Sequence, residues 1–276
     1  EEAYVLATLD PIGAMAQVDA AALDNLLQEV KTEETEILNM LASLNRPPEN
    51  EPQDEGPQVA RGDVPDAVWP SDNAWGVPVL DTTHQAEAII APVLAWGQKR
   101  SRRTRMNGTY HFYTDDYRFE ALWKDPTPVI NSGCRVAIEP NFTISPVMPR
   151  AVALWQIYRK RWLARYWQSF NIAIVVDLNV PEPHLSDLAL LGVPHGWRAY
   201  ATHGNANNLD ATLHEWELAR AHAGREEMLF IVYGGGKAVR DAALRYHWTY
   251  LYEQRDIARG EGEWQEEQRK QVEQGE

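Results

Sequence analysis

The stretch Ile172-Ala-Ile-Val-Val-Asp177 decides the fold class of this 276-residue chain. Its five apolar residues follow one another without the polar alternation of a half-exposed strand, and most of them are β-branched. Such a run is typical of a strand that is buried on both faces, as in parallel sheets covered by helices. The sequence therefore predicts a central parallel strand with an acidic residue, Asp177, at its carboxyl end.

A long helix is predicted directly before this strand, over Ala151 to Phe170, with Pro149 as its start signal. Four further short apolar stretches have the character of strands: Tyr110 to Tyr113, Arg135 to Ile138, Arg198 to Thr202 and Met228 to Val232. Two further helices are predicted at Leu209 to Ala223 and at Lys237 to Gln254. This alternation predicts an α/β fold with parallel strands, arranged either as a complete or incomplete TIM-like barrel or as an open sheet.

The composition divides the chain into four parts. Residues 1–44 are expected to form a small helical extension, and residues 71–258 the α/β domain. Residues 45–70 contain mainly Pro, Glu, Gln, Asp and Gly, so we expect an acidic linker that buries too little apolar surface to become ordered. Residues 259–276 are rich in Glu and Gln and are expected to form a charged tail.

The charge is unevenly distributed along the chain. The net charge is -14, yet residues 97–170 contain 13 basic residues against 5 acidic ones, while residues 1–96 contain 3 against 18. The basic middle is compatible with nucleic acid as a partner in spite of the acidic ends. The single cysteine, Cys134, excludes an internal disulfide framework and favours a reducing, cytoplasmic location. No apolar run approaches eighteen residues, so no membrane partner is expected.

Two basic groups are candidates for contacting nucleic acid. The segment from position 99 to 105 contributes Lys99, Arg100, Arg102, Arg103 and Arg105. The predicted long helix contributes Arg159 and Arg161 among tryptophans and tyrosines, a mixture that suits phosphates and unpaired bases. For that helix alone, an interpretation with aromatic residues in the core and arginines on the solvated side is favoured.

Polar residues follow each predicted strand, at the edge where parallel α/β folds bind their ligands. The candidate catalytic residues are Asp115, Asp116, Glu139, Asp177 and His203. The carboxylates are suited to bind a divalent cation such as Mg²⁺ or Mn²⁺, or to act as a general acid, and the sequence does not identify the metal. The alternative is that polar residues stand there because turns begin where strands end.

A glycine-rich turn before the last predicted helix is a candidate phosphate site. Its members are Gly234, Gly235, Gly236, Lys237 and Arg240. Free backbone amides and the positive end of a helix would face an anion there, although the pattern is not a Walker A loop. Alternatively, the glycines only permit a tight turn. Nearby, His214 and Glu215 begin an H-E-x-x-H pattern that lacks its second histidine.

The chain resembles two known families. Five segments, His111-Phe-Tyr-Thr-Asp-Asp-Tyr-Arg-Phe-Glu120, Glu139-Pro-Asn-Phe-Thr143, Met148-Pro149, Trp155-Gln-Ile-Tyr-Arg159 and Tyr233-Gly-Gly235, are together similar to domain-of-unknown-function family 4417, which occurs in bacteria, phages and mobile elements. The first forty residues resemble the end of ParB/Srx-like domains, which implies an upstream ParB-like domain; a generic helical extension is the alternative. Neither resemblance implies an established activity.

Three functional hypotheses follow. The first is a DNA-associated phage or mobile-element protein that acts on nucleic acid or a nucleotide in a carboxylate-lined cleft at the strand ends. The second is a non-catalytic DNA-binding adaptor linked to a ParB-like domain. The third is a scaffold or assembly protein that uses its tryptophans as interface anchors.

Overall fold

The computed structural model describes residues 69–97, 105–257 and 259–260. The strands are β1 (Val93–Ala95), β2 (Thr109–His111), β3 (Val136–Ile138), β4 (Ala173–Asp177), β5 (Ala199–His203), β6 (Leu229–Tyr233) and β7 (Thr249–Leu251). The helices within these ranges are α1 (Thr127–Asn131), α2 (Arg150–Gln168), α3 (Leu185–Leu188), α4 (Leu209–Ala223), α5 (Gly236–Tyr246) and α6 (Gln254–Ile257). Short 3₁₀ turns cover Thr82–His84, Asp116–Arg118 and Glu120–Trp123.

The seven strands form one sheet in the order of the chain, β1 to β7, and every neighbouring pair is parallel. The sheet curls into a half-barrel, so the α/β prediction is confirmed and the architecture is an open sheet. All five predicted strands are present, as β2 to β6. The expectations for residues 1–44, for the linker up to residue 68 and for the tail after residue 260 lie outside the described residues.

Both faces of the central strands are buried. In β4, Val175 contacts an inner cluster that includes Ile138, Ala201 and Ile231, and it is 0% exposed. Its neighbour Val176 belongs to the outer cluster under the helices. This two-sided burial is the physical reason for the continuous apolar run that identified β4 in the sequence.

Helices α2 and α4 agree with the predicted ones, and Pro149 is the residue directly before α2. Asn208 caps the start of α4, because its side chain accepts a hydrogen bond of 3.3 Å from the amide of Ala211. The predicted helix over 237–254 was too long. It ends at Tyr246, since His247 takes the left-handed conformation (φ 59°), and the chain then forms β7. No helix within the described ranges combines the length and the apolar character needed to cross a bilayer.

Candidate functional site at the carboxyl ends of the strands

A cavity of about 370 Å³ lies at the carboxyl ends of β5 to β7. His203 at the end of β5 and Glu253 after β7 contribute to its wall. Thr212 and Glu215 from the first turns of α4 form another part, together with Gly235, the residue before α5. We refer to this space as the carboxyl-end cavity. Its position is the one where parallel α/β folds bind small molecules.

Glu215 is the chemically distinctive group of the carboxyl-end cavity. It lies on the buried face of α4, is 6% exposed, and accepts a hydrogen bond of 2.6 Å from the hydroxyl of Thr202. Burial raises the pKa of Glu215 to about 8; the carboxylate of Asp177 adds to this shift, while the Thr202 hydrogen bond and the Lys160 ammonium oppose it. Glu215 is therefore a protonated carboxylic acid at neutral pH.

His203 lines the same cavity and reaches solvent. Its ring stacks on Tyr113 with centroids 5.9 Å apart and contacts Tyr233 at 5.5 Å. Desolvation lowers the pKa of His203, and the charges of Glu253 and Asp177 oppose this shift. The imidazole is therefore neutral at neutral pH and able to accept a proton.

Four rings form a cluster on the inner face of the sheet: His111, Tyr113, His203 and Tyr233. His111 is 4.8 Å from Tyr233, and Tyr113 is stacked 5.2 Å from the same ring. Burial lowers the pKa of His111 to about 3, and its Nδ1 has no hydrogen-bond partner among the described residues. Tyr113 and Tyr233 thus give His203 neutral aromatic neighbours, and His111 extends the cluster through Tyr233.

Asp177, predicted to be catalytic, is 0% exposed and forms part of an ion pair. Lys160 of α2 lies 3.0 Å from its Oδ2 and also donates to its backbone carbonyl at 2.8 Å. The hydroxyl of Tyr113 donates to Oδ1 at 3.0 Å. Because cation and hydroxyl occupy both oxygens, Asp177 is not a free acid at the rim. It is connected to the cavity wall through Tyr113 and its stacked neighbour His203, and through Asn179, whose amide donates to Oδ1 at 3.3 Å.

Glu139 is the second fully buried carboxylate. Its Oε1 pairs with Nη1 of Arg161 at 2.5 Å, and its Oε2 accepts a hydrogen bond of 3.1 Å from the amide of Asp177. Arg161 also donates to the carbonyl oxygens of Ala189 and Leu191. The charge of Glu139 is thereby used to join β3, β4 and α2, and the residue does not line the carboxyl-end cavity.

Asp115 and Asp116 lie apart from the cavity wall. Asp115 is exposed, 3.6 Å from Arg118. Asp116 accepts hydrogen bonds of 3.0 Å from both the amide and the hydroxyl of Thr143. The four predicted carboxylates therefore do not converge, and among the described residues no group of three or more His, Cys, Asp or Glu is placed to bind a metal ion. The Mg²⁺ or Mn²⁺ site expected from these residues is not formed by them.

The glycine-rich turn is explained by close packing. A Cβ at Gly234 would lie 2.3 Å from Oε1 of Glu253, and a Cβ at Gly235 would lie 2.7 Å from the backbone of Gly204. The amide of Gly235 donates to Oε1 of Glu253 at 3.3 Å, and Arg255 pairs with the same carboxylate at 2.7 Å. The chain thus supplies its own anion to an amide that was expected to bind phosphate.

The remaining predicted phosphate ligands and basic residues occupy different environments. Lys237 is exposed, Gly236 and Arg240 are half-buried, and the Arg240 guanidinium is 5.8 Å from the ring centre of Tyr252. None of these three lines the carboxyl-end cavity. Arg105 is exposed. The other basic residues of its segment, Lys99, Arg100, Arg102 and Arg103, lie outside the described residues.

Arg159 and Arg161 of α2 are buried, a position that neither interpretation of this helix anticipated. Arg161 is 0% exposed, and Arg159 is 7% exposed with its guanidinium 3.0 Å from Glu120 and 3.9 Å from the ring centre of Phe142. Neither guanidinium is on a surface where a nucleic acid could reach it. For Arg161 the physical cause is the buried carboxylate of Glu139, which requires a cation from the covering helix.

Glu215, His111 and Tyr113 were not selected from the sequence as site residues. Glu215 was considered only as part of an incomplete H-E-x-x-H pattern. The available signal was its helical spacing, because Thr212, Glu215 and Ala219 recur on one face of α4 and all three are buried. For the ring cluster, the alternation of His111 and Tyr113 about Phe112 indicated that both rings belong to one face.

An open parallel α/β half-barrel with a polar cavity at its carboxyl ends defines the class of this protein. Residues 69–241 match the family described as Domain of unknown function (DUF4417), and the chain belongs to that family. This finding confirms the resemblance inferred from the five sequence segments. The ParB/Srx-like resemblance of the first forty residues stays a prediction.

Two phage proteins are similar to this chain, both called "Gene 1 protein". The one from Mycobacterium phage L5 is 31% identical over 170 residues, which cover 59% of this chain and 73% of the relative. The one from Mycobacterium phage D29 is 35% identical over 133 residues, which cover 47% of this chain and 48% of the relative, so the match spans about half of that protein. No solved structure matches the chain.

Proposed function

We propose that this protein is an acid–base enzyme whose reaction takes place in the carboxyl-end cavity. The observation that supports this most directly is that a protonated acid, Glu215, and a neutral imidazole, His203, both line the wall of one cavity. Glu215 would donate a proton to a leaving group or carbonyl oxygen, and His203 would accept one from the nucleophile or from a carbon acid. Two titratable groups with opposite pKa shifts are characteristic of such sites.

We propose a nucleotide, or a nucleotide unit of a nucleic acid, as the substrate class. The first turns of α4 contribute Ala211 and Thr212 to the cavity, and the positive end of a 15-residue helix favours an anionic group such as a phosphate. The basic composition of residues 97–170 supports the same class. Both relatives come from phages, and their shared name specifies no activity.

The experiment is a turnover assay with purified protein and a panel of nucleotides, single-stranded DNA, RNA and duplex DNA, with products separated by chromatography. We expect the rate to fall above about pH 8, where Glu215 loses its proton. Glu215→Gln and His203→Asn should each reduce the rate about 100-fold or more. The matched controls are Glu217→Gln and His214→Asn, at exposed positions of α4, the helix that contains Glu215. Both variants should keep the rate of the parent protein.

The outcomes separate the two parts of this proposal. Turnover of no member of the panel would reject the substrate class. Turnover that Glu215→Gln leaves unchanged would reject the role of Glu215. The protonation state can be measured without any substrate, because ¹³C-labelled Glu215 should titrate near pH 8 by NMR; titration near 4.5 would contradict the mechanism.

A second candidate function is DNA binding without chemistry, as an adaptor linked to a ParB-like domain. It is favoured by the segment 99–105, which has five cations in seven residues, and by the solvent exposure of its last member, Arg105. Binding through this segment should weaken with salt in proportion to the phosphates contacted. Replacing its five cations by Gln should flatten the salt dependence, whereas Glu215→Gln should not; equal slopes for the parent and the five-fold variant would exclude this function.

A further inference from the structure

A second cavity, of about 470 Å³, lies between α4 and α5 near the amino ends of β6 and β7. Met228, which directly precedes β6, and Trp248, which directly precedes β7, both line it. It is therefore at the opposite end of the strands from the carboxyl-end cavity. We call it the aromatic cavity, because its wall includes Trp216, Phe230, Tyr246 and Trp248.

The rings of the aromatic cavity form one connected surface. Trp216 and Tyr246 are 4.7 Å apart between centroids, and Trp216 and Trp248 are 5.9 Å apart. Tyr246 is stacked on Trp248 at 5.4 Å with an interplanar angle of 23°. Phe230 contacts Trp248 with ring centroids 5.2 Å apart. A cavity whose wall contains four aromatic rings is suited to a flat, rigid ligand rather than to a flexible aliphatic one.

Charged residues of both signs surround these rings. Arg220 and Arg245 are exposed cations, and Glu226 and Glu227 are exposed anions on the same cavity. The guanidinium of Arg220 lies 5.0 Å from the ring centre of Trp216, so part of that ring already interacts with a cation. Equal numbers of cations and anions give no net preference for a polyphosphate, but they offer both donors and acceptors to the edge of a polar ring.

We propose that the aromatic cavity binds a planar heteroaromatic ring that carries an amino group, namely a nucleobase such as adenine. The ring would stack on Trp216 or Tyr246, its amino group would donate to Glu226 or Glu227, and its ring nitrogens would accept from Arg245. The base can come from a free nucleoside or from an exposed base of a single strand, since both present the same ring. This site is distinct from the proposed catalytic cavity.

The test uses the full-length protein labelled with ¹⁵N at its tryptophan indoles, titrated with adenosine and, separately, with a short single-stranded deoxyadenosine oligonucleotide. We expect the indole signals of Trp216 and Trp248 to shift and to saturate with at least one of the two ligands. Saturation by adenosine identifies a free nucleoside as a sufficient ligand, and saturation by the oligonucleotide alone identifies an exposed base. Absence of a saturable shift with both ligands would overturn the proposal.

Three comparisons make the test specific. Trp216→Leu should weaken binding about tenfold or more, because it removes a stacking ring. Trp75→Leu is the matched control, since Trp75 is 58% exposed and does not line the aromatic cavity. Unchanged affinity in Trp216→Leu would overturn the assigned site. Arg245→Gln, an exposed change that keeps the core intact, is the second variant and should weaken binding even if Trp216→Leu fails to fold. Equal binding of uridine and adenosine would overturn the role of the amino group.

Discussion

The carboxyl ends of β3 and β4 differ chemically from those of β5 to β7. At β3 and β4 each acid has a cation from α2: Glu139 with Arg161, and Asp177 with Lys160. At β5 the covering helix α4 contributes an acid instead of a cation, and Glu215 has a neutral hydroxyl, that of Thr202, as its partner. The first half of the edge is therefore neutralised and closed, while the second half is open and contains a group that can release a proton.

This difference shows that an acidic residue after a strand is not by itself evidence of catalysis. Buried carboxylates are tolerated when a cation satisfies them, and such a pair then stabilises the packing of helix on sheet rather than performing chemistry. A carboxyl group buried without a cation becomes protonated, which is the state that a general acid requires. The helix that covers a strand end decides which of the two cases applies.

The largest effect on stability is expected when an ion pair at the carboxyl ends of β3 and β4 is removed. Arg161→Met leaves Glu139 charged and unpaired in the core, so we expect the free energy of unfolding to decrease by about 3–5 kcal/mol in urea titrations. The matched control is Arg150→Met on the same helix, whose pair with Asp187 is about half exposed and should contribute less than about 1 kcal/mol. Adding Glu139→Gln to Arg161→Met should recover much of the loss. A loss no larger than that of the control would contradict the comparison.

The open half is tested by the pH dependence of stability. Glu215 has a raised pKa in the folded state, so the folded protein retains a proton that the unfolded chain loses above pH 4.5, and the free energy of unfolding falls as pH rises from 4.5 to about 8. Glu215→Gln removes this slope and should stabilise the protein by about 3 kcal/mol at pH 7, at 1.36 kcal/mol per pH unit. Glu217→Gln, exposed on the same helix, should leave the slope unchanged. The measurement is urea unfolding at each pH, and a persisting slope in Glu215→Gln would disprove the assignment.

A smaller pH dependence of the free energy of unfolding, with the opposite sign, is expected from His111 in the ring cluster. Burial depresses the pKa of His111 from 6.5 to about 3, so the unfolded chain binds a proton that the folded protein does not, and stability is lost as pH falls below 6.5. His111→Phe removes this loss, so the change in the free energy of unfolding that it causes should be more favourable at pH 5 than at pH 7.5 by about 2 kcal/mol. The pKa of His222 is also lowered, to about 4, so this residue still makes the protein less stable at low pH in the His111→Phe variant. Exposed His214→Gln is the control, and an identical gain in both variants would count against the role of burial.

Much of the fold could be predicted from the sequence, because long apolar runs and helical periodicity reflect burial directly. The run that identified β4 is a consequence of burial on both faces, and α4 begins and ends at the predicted residues. The edge strands β1 and β7 were missed, and β7 lies within residues 237–254, the range of the last predicted helix. The last helix was extended through β7 because its left-handed end at His247 has no glycine to mark it.

The candidate site was predictable only in part. The rule that ligands bind at carboxyl ends located the edge and selected His203. The sequence could not show that Lys160 and Arg161 turn inward, because adjacent residues of a helix face different directions and the sequence does not indicate which neighbours they reach. For the same reason, it could not show that a helix residue, Glu215, completes the wall. Such pairings arise from contacts between residues that are far apart in the chain.

The shortness of the two border strands has a consequence for association between molecules. In the part of the chain that the structure describes, β1 and β7 form the borders of the sheet and have three residues each. A border strand of this length offers few backbone groups for another chain to continue the sheet, and sheet edges are a common origin of aggregation. We therefore expect any self-association of this protein to use side-chain surfaces. We also expect the protein to stay dispersed at high concentration, although its half-barrel is open along one side.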